Sequence, residues 1–188
     1  MLWSLVASLA SGNGALSDLD ALRADEAGQQ LLGLDEAPSG RRLGEHLSRF
    51  GEEEVDSLLG VVRRLTAQVA PAVIEHEVST RGYVPLFIDG TAIEVDGDLF
   101  EGARRGYDGA VQYWLHGTFL GGLWVSSRLH PGGVDVAKGW REQLDRDVVP
   151  VIPADTPVWA RADDAPVRGE LRALLRRAGL GLLGERDQ

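Results

Sequence analysis

The stretch Val84–Gly97, VPLFIDGTAIEVDG, decides how the rest of the chain is read. Its first half is a short apolar run of β-branched and aromatic type that ends in Asp89; Gly90 follows at once, then a second β-rich run, Thr91–Val95. Short runs of this kind, bounded by Pro and Gly, read as strand rather than helix. The reading places Asp89 at or near the end of a buried strand. A carboxylate there is costly to desolvate unless a cation, a hydrogen bond or water answers it. An Asp-Gly dipeptide is also a common turn, and on its own Asp89-Gly90 favours the turn; a second site further along shifts the balance toward the strand.

A second stretch has the same form. In Pro157–Asp164, PVWARADD, the apolar run Val158–Ala160 leads through Arg161 to Asp163, with Asp164 beside it, 74 residues after Asp89. Two strands that each deliver an Asp to one end of a sheet make a site for hard divalent cations, which take oxygen ligands and leave room for water and phosphate.

Composition bounds the rest. At 188 residues, 44% hydrophobic and 26% charged, the chain is an ordinary globular one, large enough for one domain with a helical appendage. It has no cysteine, which excludes disulfides, thiolate catalysis and Cys-bound zinc and fits a reducing, cytoplasmic compartment. No apolar run is expected to cross a bilayer. The opening MLWSLVASLASG lacks a basic leader, so no signal peptide is expected. The net charge of −10 counts against nucleic-acid binding without removing it, because phosphate contacts depend on local cationic patches.

Residues 1–80 read as helices. Ser17 is placed to cap a helix Asp18–Leu32 that Gly33 ends; a shorter helix, Arg41–Phe50, follows; a long one, from Glu52 to about Glu77, starts on three acids and is expected to bend at Pro71. Arg41, Arg42 and Arg49 would contact phosphates if this region were a helix-turn-helix; the plainer reading is a helical appendage that packs on the core or on a second subunit. From residue 81 the pattern turns to strands: Val84–Val95, Val111–Phe119 and Leu123–Leu129, the last two joined at Gly121-Gly122. A helix Val134–Val148, the strand Val158–Ala160 and a helix Val167–Ala178 complete the order. Three strands, helix, strand, helix describes a mixed α/β sheet with helices on its faces.

Other residues have plainer accounts. His116 and His130 lack paired zinc-ligand spacing and read as core or turn histidines. Trp114, Trp124, Trp140 and Trp159 fall within predicted elements, where burial is the default over base stacking.

The layout resembles a ribonuclease H-like fold of the retroviral integrase superfamily, and the local text resembles the DDE-domain transposases of bacterial insertion sequences. FIDGTAIEVDG (87–97) is similar to their first-Asp strand, GARRGYDGAVQYW (102–114) to the Gly/Tyr link, SSRLHPGGVDVAKG (126–139) to their R-x-x-P-G passage and VWARADD (158–164) to their R-x-D strand, with SDLDALRADEAGQQLLG (17–33) similar to the helical stretch upstream. The matches are scattered over roughly residues 8 to 180 and keep one order.

The resemblance implies that Asp89 and Asp163 are two of three carboxylates that hold Mg²⁺, with Mn²⁺ as substitute, for phosphodiester cleavage and strand transfer. It implies DNA, as element ends and target, for a partner, and admits a homodimer through the helical region. Arg104, Arg105 and Arg161 become candidate DNA contacts, and Asp164 a spare ligand or a helix cap. The third acid of the family, a Glu on a later helix, has no match here: 25 residues follow Asp163, Glu170 comes too early and Glu185 lies in a polar tail. The expectation is the front part of a transposase, an incomplete sheet without its fifth strand and little activity for this chain alone. A non-catalytic DNA-binding or dimerising regulator is the alternative, and an unrelated two-carboxylate hydrolase the third reading.

Overall fold

The computed structural model describes residues 1–96, 100–106, 109–132, 136–162, 169, 171, 173, 175, 176, 181 and 182. The chain forms two compact units, Met1–Leu58 and Leu59–Gln188.

The first unit is helical. Helices α1 (Leu2–Ala10), α2 (Asp18–Ala24), α3 (Glu26–Leu31) and α4 (Gly40–Leu47) bury Ala7, Leu19, Ala37 and Leu43. The single helix expected over Asp18–Leu32 is two, because Asp25 ends α2 and caps α3, its carboxylate accepting from Gly28 N–H at 2.9 Å. Ser17 makes no side-chain cap bond, whereas Ser39 accepts from Arg42 N–H at 3.2 Å and starts α4. The amide of Gln29 ties the loop down, accepting from Ala37 N–H at 2.7 Å and donating to the Arg23 carbonyl at 3.0 Å. Helix α1, which the sequence reading left unassigned, covers the mildly apolar opening.

Helix α5 (Glu52–Arg81) runs from the first unit into the second without interruption at Pro71. Contrary to the sequence reading, this helix is long and apolar enough to cross a membrane by length and composition, but it carries Arg63 and Arg64, and its Ala70 and Ile74 pack in a protein core.

The second unit is built on a mixed sheet. Strand β1 (Val84–Glu94) is central: it pairs antiparallel with β3 (Val111–Leu120), from Leu86↔Leu120 to Glu94↔Gln112, and parallel with β5 (Pro157–Ala162), from Val84↔Val158 to Ile88↔Ala162. Strand β4 (Leu123–Pro131) pairs with the other edge of β3 through the Gly121-Gly122 turn, where Gly121 takes a φ of +59° that favours glycine. The two-residue β2 (Arg104–Arg105) also pairs with β3. This antiparallel meander, whose first strand is parallel to the strand after the helix, is the mixed α/β arrangement expected from the sequence. One expectation fails: a short fifth strand, β6 (Gly181–Leu182), lies parallel to the first two residues of β5. A two-residue pairing leaves too little apolar alternation to be read ahead of the fold.

Helix α6 (Val136–Gln143) passes into a π-helical turn, Leu144–Val148, and a 3₁₀ turn, Val149–Val151, where a single helix to Val148 was expected. Trp140, Leu144 and Val148 from this segment join Ile74, Leu86, Ile88, Val158, Leu171 and Leu175 in one core. Residues 169, 171, 173, 175 and 176 are helical, as expected.

Candidate active site

Strand β1 is buried in its first half and exposed in its second. Val84, Leu86 and Ile88 are 0–3% exposed, while Asp89 and the residues from Thr91 to Glu94 face solvent. Asp89 is therefore neither at a strand end nor in a turn, and both sequence readings of Asp89-Gly90 are corrected. The strand runs on because Gly90 continues the ladder opposite His116, and only a bare Cα fits there: a Cβ would stand 2.5 Å from the Trp114 indole nitrogen. Nor is Asp89 desolvated. One carboxylate oxygen accepts from Gly90 N–H at 2.8 Å, and the group opens into a cavity of about 400 Å³.

That cavity is lined by Phe87, Ile88, Asp89, Phe119, Gly121 and Arg161. Phe87 is registered with Phe119 on one side and with Arg161 on the other, so the three side chains reach the cavity from three adjacent strands. Gly117, the partner of Asp89 on β3, adds no side chain beside the carboxylate. Of the candidate residues, Asp89 and Arg161 are thus brought together. The described pairing of β1 with β5 stops at Ile88↔Ala162, and in the sequence an Asp follows each partner, Asp89 and Asp163. Asp163, Asp164, Glu170 and Glu185 lie outside the described residues.

Arg104 and Arg105 are not brought to this place. They are exposed, their partners on β3 are Gln112 and Val111, and Arg105 donates to the Gly109 carbonyl at 2.8 Å. Gln112 lies five residues along β3 from Gly117, about 17 Å at strand rise.

An acid with an open oxygen at a solvent-filled cavity suits a hard divalent cation, which binds carboxylate and water oxygens together. Among the described residues no group of three or more His, Asp or Glu side chains could hold a metal. Asp89 fits such an ion as one ligand of a set.

Two features escaped the sequence reading. The first is an aromatic row over the cavity side of the sheet. Trp124 lies 5.0 Å from Phe119, Phe119 is registered with Phe87, Phe87 lies 5.8 Å from Trp159 and Trp159 lies 6.2 Å from Tyr83. Trp124, expected to be buried, is 51% exposed. Each ring sits at an outward position of its strand, but only the register shows that they align.

The second is a buried polar cluster on the opposite face, under α6. His116 is 1% exposed, stacks on Trp140 at 4.4 Å and 8°, and lies 4.4 Å from the His130 ring. Neither His116 nitrogen has a hydrogen-bond partner among the described residues. Burial, and secondarily the neighbouring His130, push the His116 pKa down to about 4; burial lowers that of His130 as well. Both imidazoles are held neutral. Beside them Asp147, 4% exposed, accepts from Ser126 Oγ at 2.6 Å and pairs with Arg63 at 3.3 Å, Arg146 at 3.2 Å and Arg128 at 3.6 Å. Gln143 Nε2 donates to Ser126 Oγ at 3.2 Å. These contacts join α5, β4 and the π-helical turn.

No protein-family model matches the chain, and no curated protein sequence does. Among solved structures it is similar to the Mos1 transposase paired-end complex with left transposon end, at 14% identity and a TM-score of 0.39 over 92% of this chain and 59% of that one. It is similar to the Mos1 strand transfer complex at 14% identity and 0.36, over 92% and 58%, and to a pre-cleavage Mos1 transpososome at 12% and 0.34, over 92% and 59%. The chain spans about 59% of the length of the first of these. The overlap at these TM-scores is loose and leaves function to the chemistry of the site.

Proposed function

We propose that this chain carries part of a metal-dependent phosphodiester-transfer site of the DDE-transposase kind, acting on DNA. The observation that carries the reading is the register of β1 and β5. Two parallel neighbours are paired as far as Ile88 and Ala162, the next residue of each in the sequence is an Asp, and Asp89 opens into a polar cavity. Asp163 is the next residue in the sequence after Ala162, and the proposal is that it joins Asp89 as an oxygen ligand to one cation.

In this reading Asp89 and Asp163 are the two ligands the chain supplies, Mg²⁺ or Mn²⁺ the ion, and DNA ends the substrate. A bound ion supplies water or 3′-hydroxyl activation and stabilises the leaving oxygen. Asp89 would offer such an ion the carboxylate oxygen that Gly90 N–H does not engage. Arg161, which lines the same cavity, would face a phosphate there. Arg104 and Arg105, displaced along the sheet, would touch the DNA backbone far from the reacting bond. Weak cleavage by this chain alone is the expectation carried over from its sequence, where no later Glu matches the third acid of the resemblance.

The direct test is nicking of supercoiled plasmid with Mg²⁺ or Mn²⁺, alongside a thermal-shift titration with Mn²⁺. We expect weak or no nicking, and a Mn²⁺-dependent rise in melting temperature that Asp89→Asn abolishes. Robust nicking that Asp89→Asn removes would correct the activity estimate upward; a rise unchanged in Asp89→Asn would overturn the metal site. The regulator alternative predicts salt-sensitive DNA binding that survives Asp89→Ala and no response to the metal.

A further inference from the structure

The aromatic row beside Asp89 has a chemistry of its own. It crosses four strands in the order Trp124, Phe119, Phe87, Trp159 and ends on Tyr83, on the sheet face away from the helix-covered core. Trp124 is 51% exposed and the other four are half-buried, so the row presents ring surface that the core does not consume. Gly117 keeps it open: a Cβ there would stand 3.3 Å from the Phe119 ring and 3.8 Å from that of Trp124.

We propose that this row and its cavity form a platform for an unpaired nucleotide, on which a base stacks against Phe119 and Trp124 while its phosphate lies toward Arg161. Three observations select that occupant. The cavity of about 400 Å³ is of nucleotide size, near the lower end of small-ligand sites. The half-exposed Trp124 ring offers one aromatic face at the end of the row, with Phe119 tilted 47° beside it, and base–aromatic stacking is indifferent to sequence. The charges are also placed for it. Arg161, exposed and level with Phe87, offers a guanidinium whose five N–H donors serve more than one partner, whereas Asp89, two residues along β1, repels a phosphate from its own row. A phosphate is therefore guided to the arginine side, with the base on the rings. The proposal rests on the phosphodiester reading for the identity of the substrate strand, but stacking needs no metal.

The test is a titration in EDTA, followed by tryptophan fluorescence, of the whole protein with a DNA hairpin bearing a four-nucleotide single-stranded overhang and with its blunt counterpart. The overhang hairpin should bind at least about fivefold more tightly, with quenching. Trp124→Ala should remove that preference and Trp124→Phe restore most of it. Phe119→Leu, which keeps apolar volume, should weaken the overhang complex and leave blunt binding unchanged. Equal binding of the two hairpins, or a preference untouched by Trp124→Ala, would overturn the platform. So would fluorescence that changes with protein concentration alone, which would mean that a second copy covers the rings. Loss of the platform with the Mn²⁺ response retained leaves the active-site reading standing; the reverse result leaves the platform standing.

Discussion

At the scale of single residues, His116 carries the sharpest consequence. Its ring is buried flat against Trp140 and neutral in the fold, so a proton prefers the unfolded chain, where an imidazole has its ordinary pKa near 6.5. The stability this group contributes is complete above pH 6.5 and is lost as pH falls from 6.5 toward about 4. Across that window the loss attributable to His116 is at most about 3 kcal/mol. His130, lowered in the same direction, adds to it. Urea midpoints measured between pH 8 and pH 4 should fall more steeply for the natural chain than for His116→Phe, which keeps the stack and removes the titration. Parallel curves would show that the imidazole titrates alike folded and unfolded. Gly90 is a second position with no slack. Gly90→Ala drives a Cβ into the Trp114 indole and should cost about 1 to 3 kcal/mol, read from the same urea curves. An unchanged midpoint would mean that the Trp114 ring swings away freely.

At the scale of elements, the π-helical turn Leu144–Val148 is held by polar contacts rather than by its apolar residues alone. Asp147 accepts from Ser126 and pairs with three arginines, from α5, β4 and its own turn. Asp147→Ala should remove the carboxylate that these three cations and the nearly buried Ser126 hydroxyl share. The expected loss is about 2 to 3 kcal/mol, discounted because Arg63 and Arg146 are about a third exposed. Asp147→Asn should lose less, since an amide oxygen still accepts from Ser126, and chemical denaturation of the two variants reads the difference directly. None of this was visible ahead of the fold, because Arg63 and Asp147 are 84 residues apart and no local pattern pairs them. The strand order was legible for the opposite reason: Val84–Ile88, Val111–Leu120 and Val158–Ala160 are apolar runs long enough to declare themselves, and the Gly121-Gly122 turn fixes the hairpin. Asp89 was expected at a strand end or in a turn, and it lies in the middle of β1. An Asp-Gly pair signals a break in chain direction, and here the ladder opposite His116 and Gly117 overrides it. The aromatic row was misread because alternation shows which residues share a face of one strand, not which rings meet across four.

At the scale of the whole molecule, the chain divides its stability unequally. The first unit, Met1–Leu58, buries two leucines and two alanines among short helices, and it leans on caps such as Asp25 and Ser39 and on the buried amide of Gln29. The second gathers aliphatic and aromatic side chains from β1, β3, β4, β5, α5 and α6 into one core. Helices of six to nine residues are marginal without packing, and a unit of this size buries a smaller share of its surface than a larger one. The two units should therefore not open together. Native-state hydrogen exchange should find the amides of α2, α3 and α4 exchanging about a hundredfold or more faster than the inward-bonded amides of β1 and β3, through an opening that leaves the sheet closed. Asp25→Ala, which removes the cap of α3, should widen that gap by speeding exchange in the first unit alone. If α2–α4 and the sheet instead exchange with one common free energy, and the cap variant slows or speeds both alike, the chain is a single cooperative unit. The small helical core would then draw its stability from the sheet, and substitutions at Leu19 or Leu43 would be felt at Asp89.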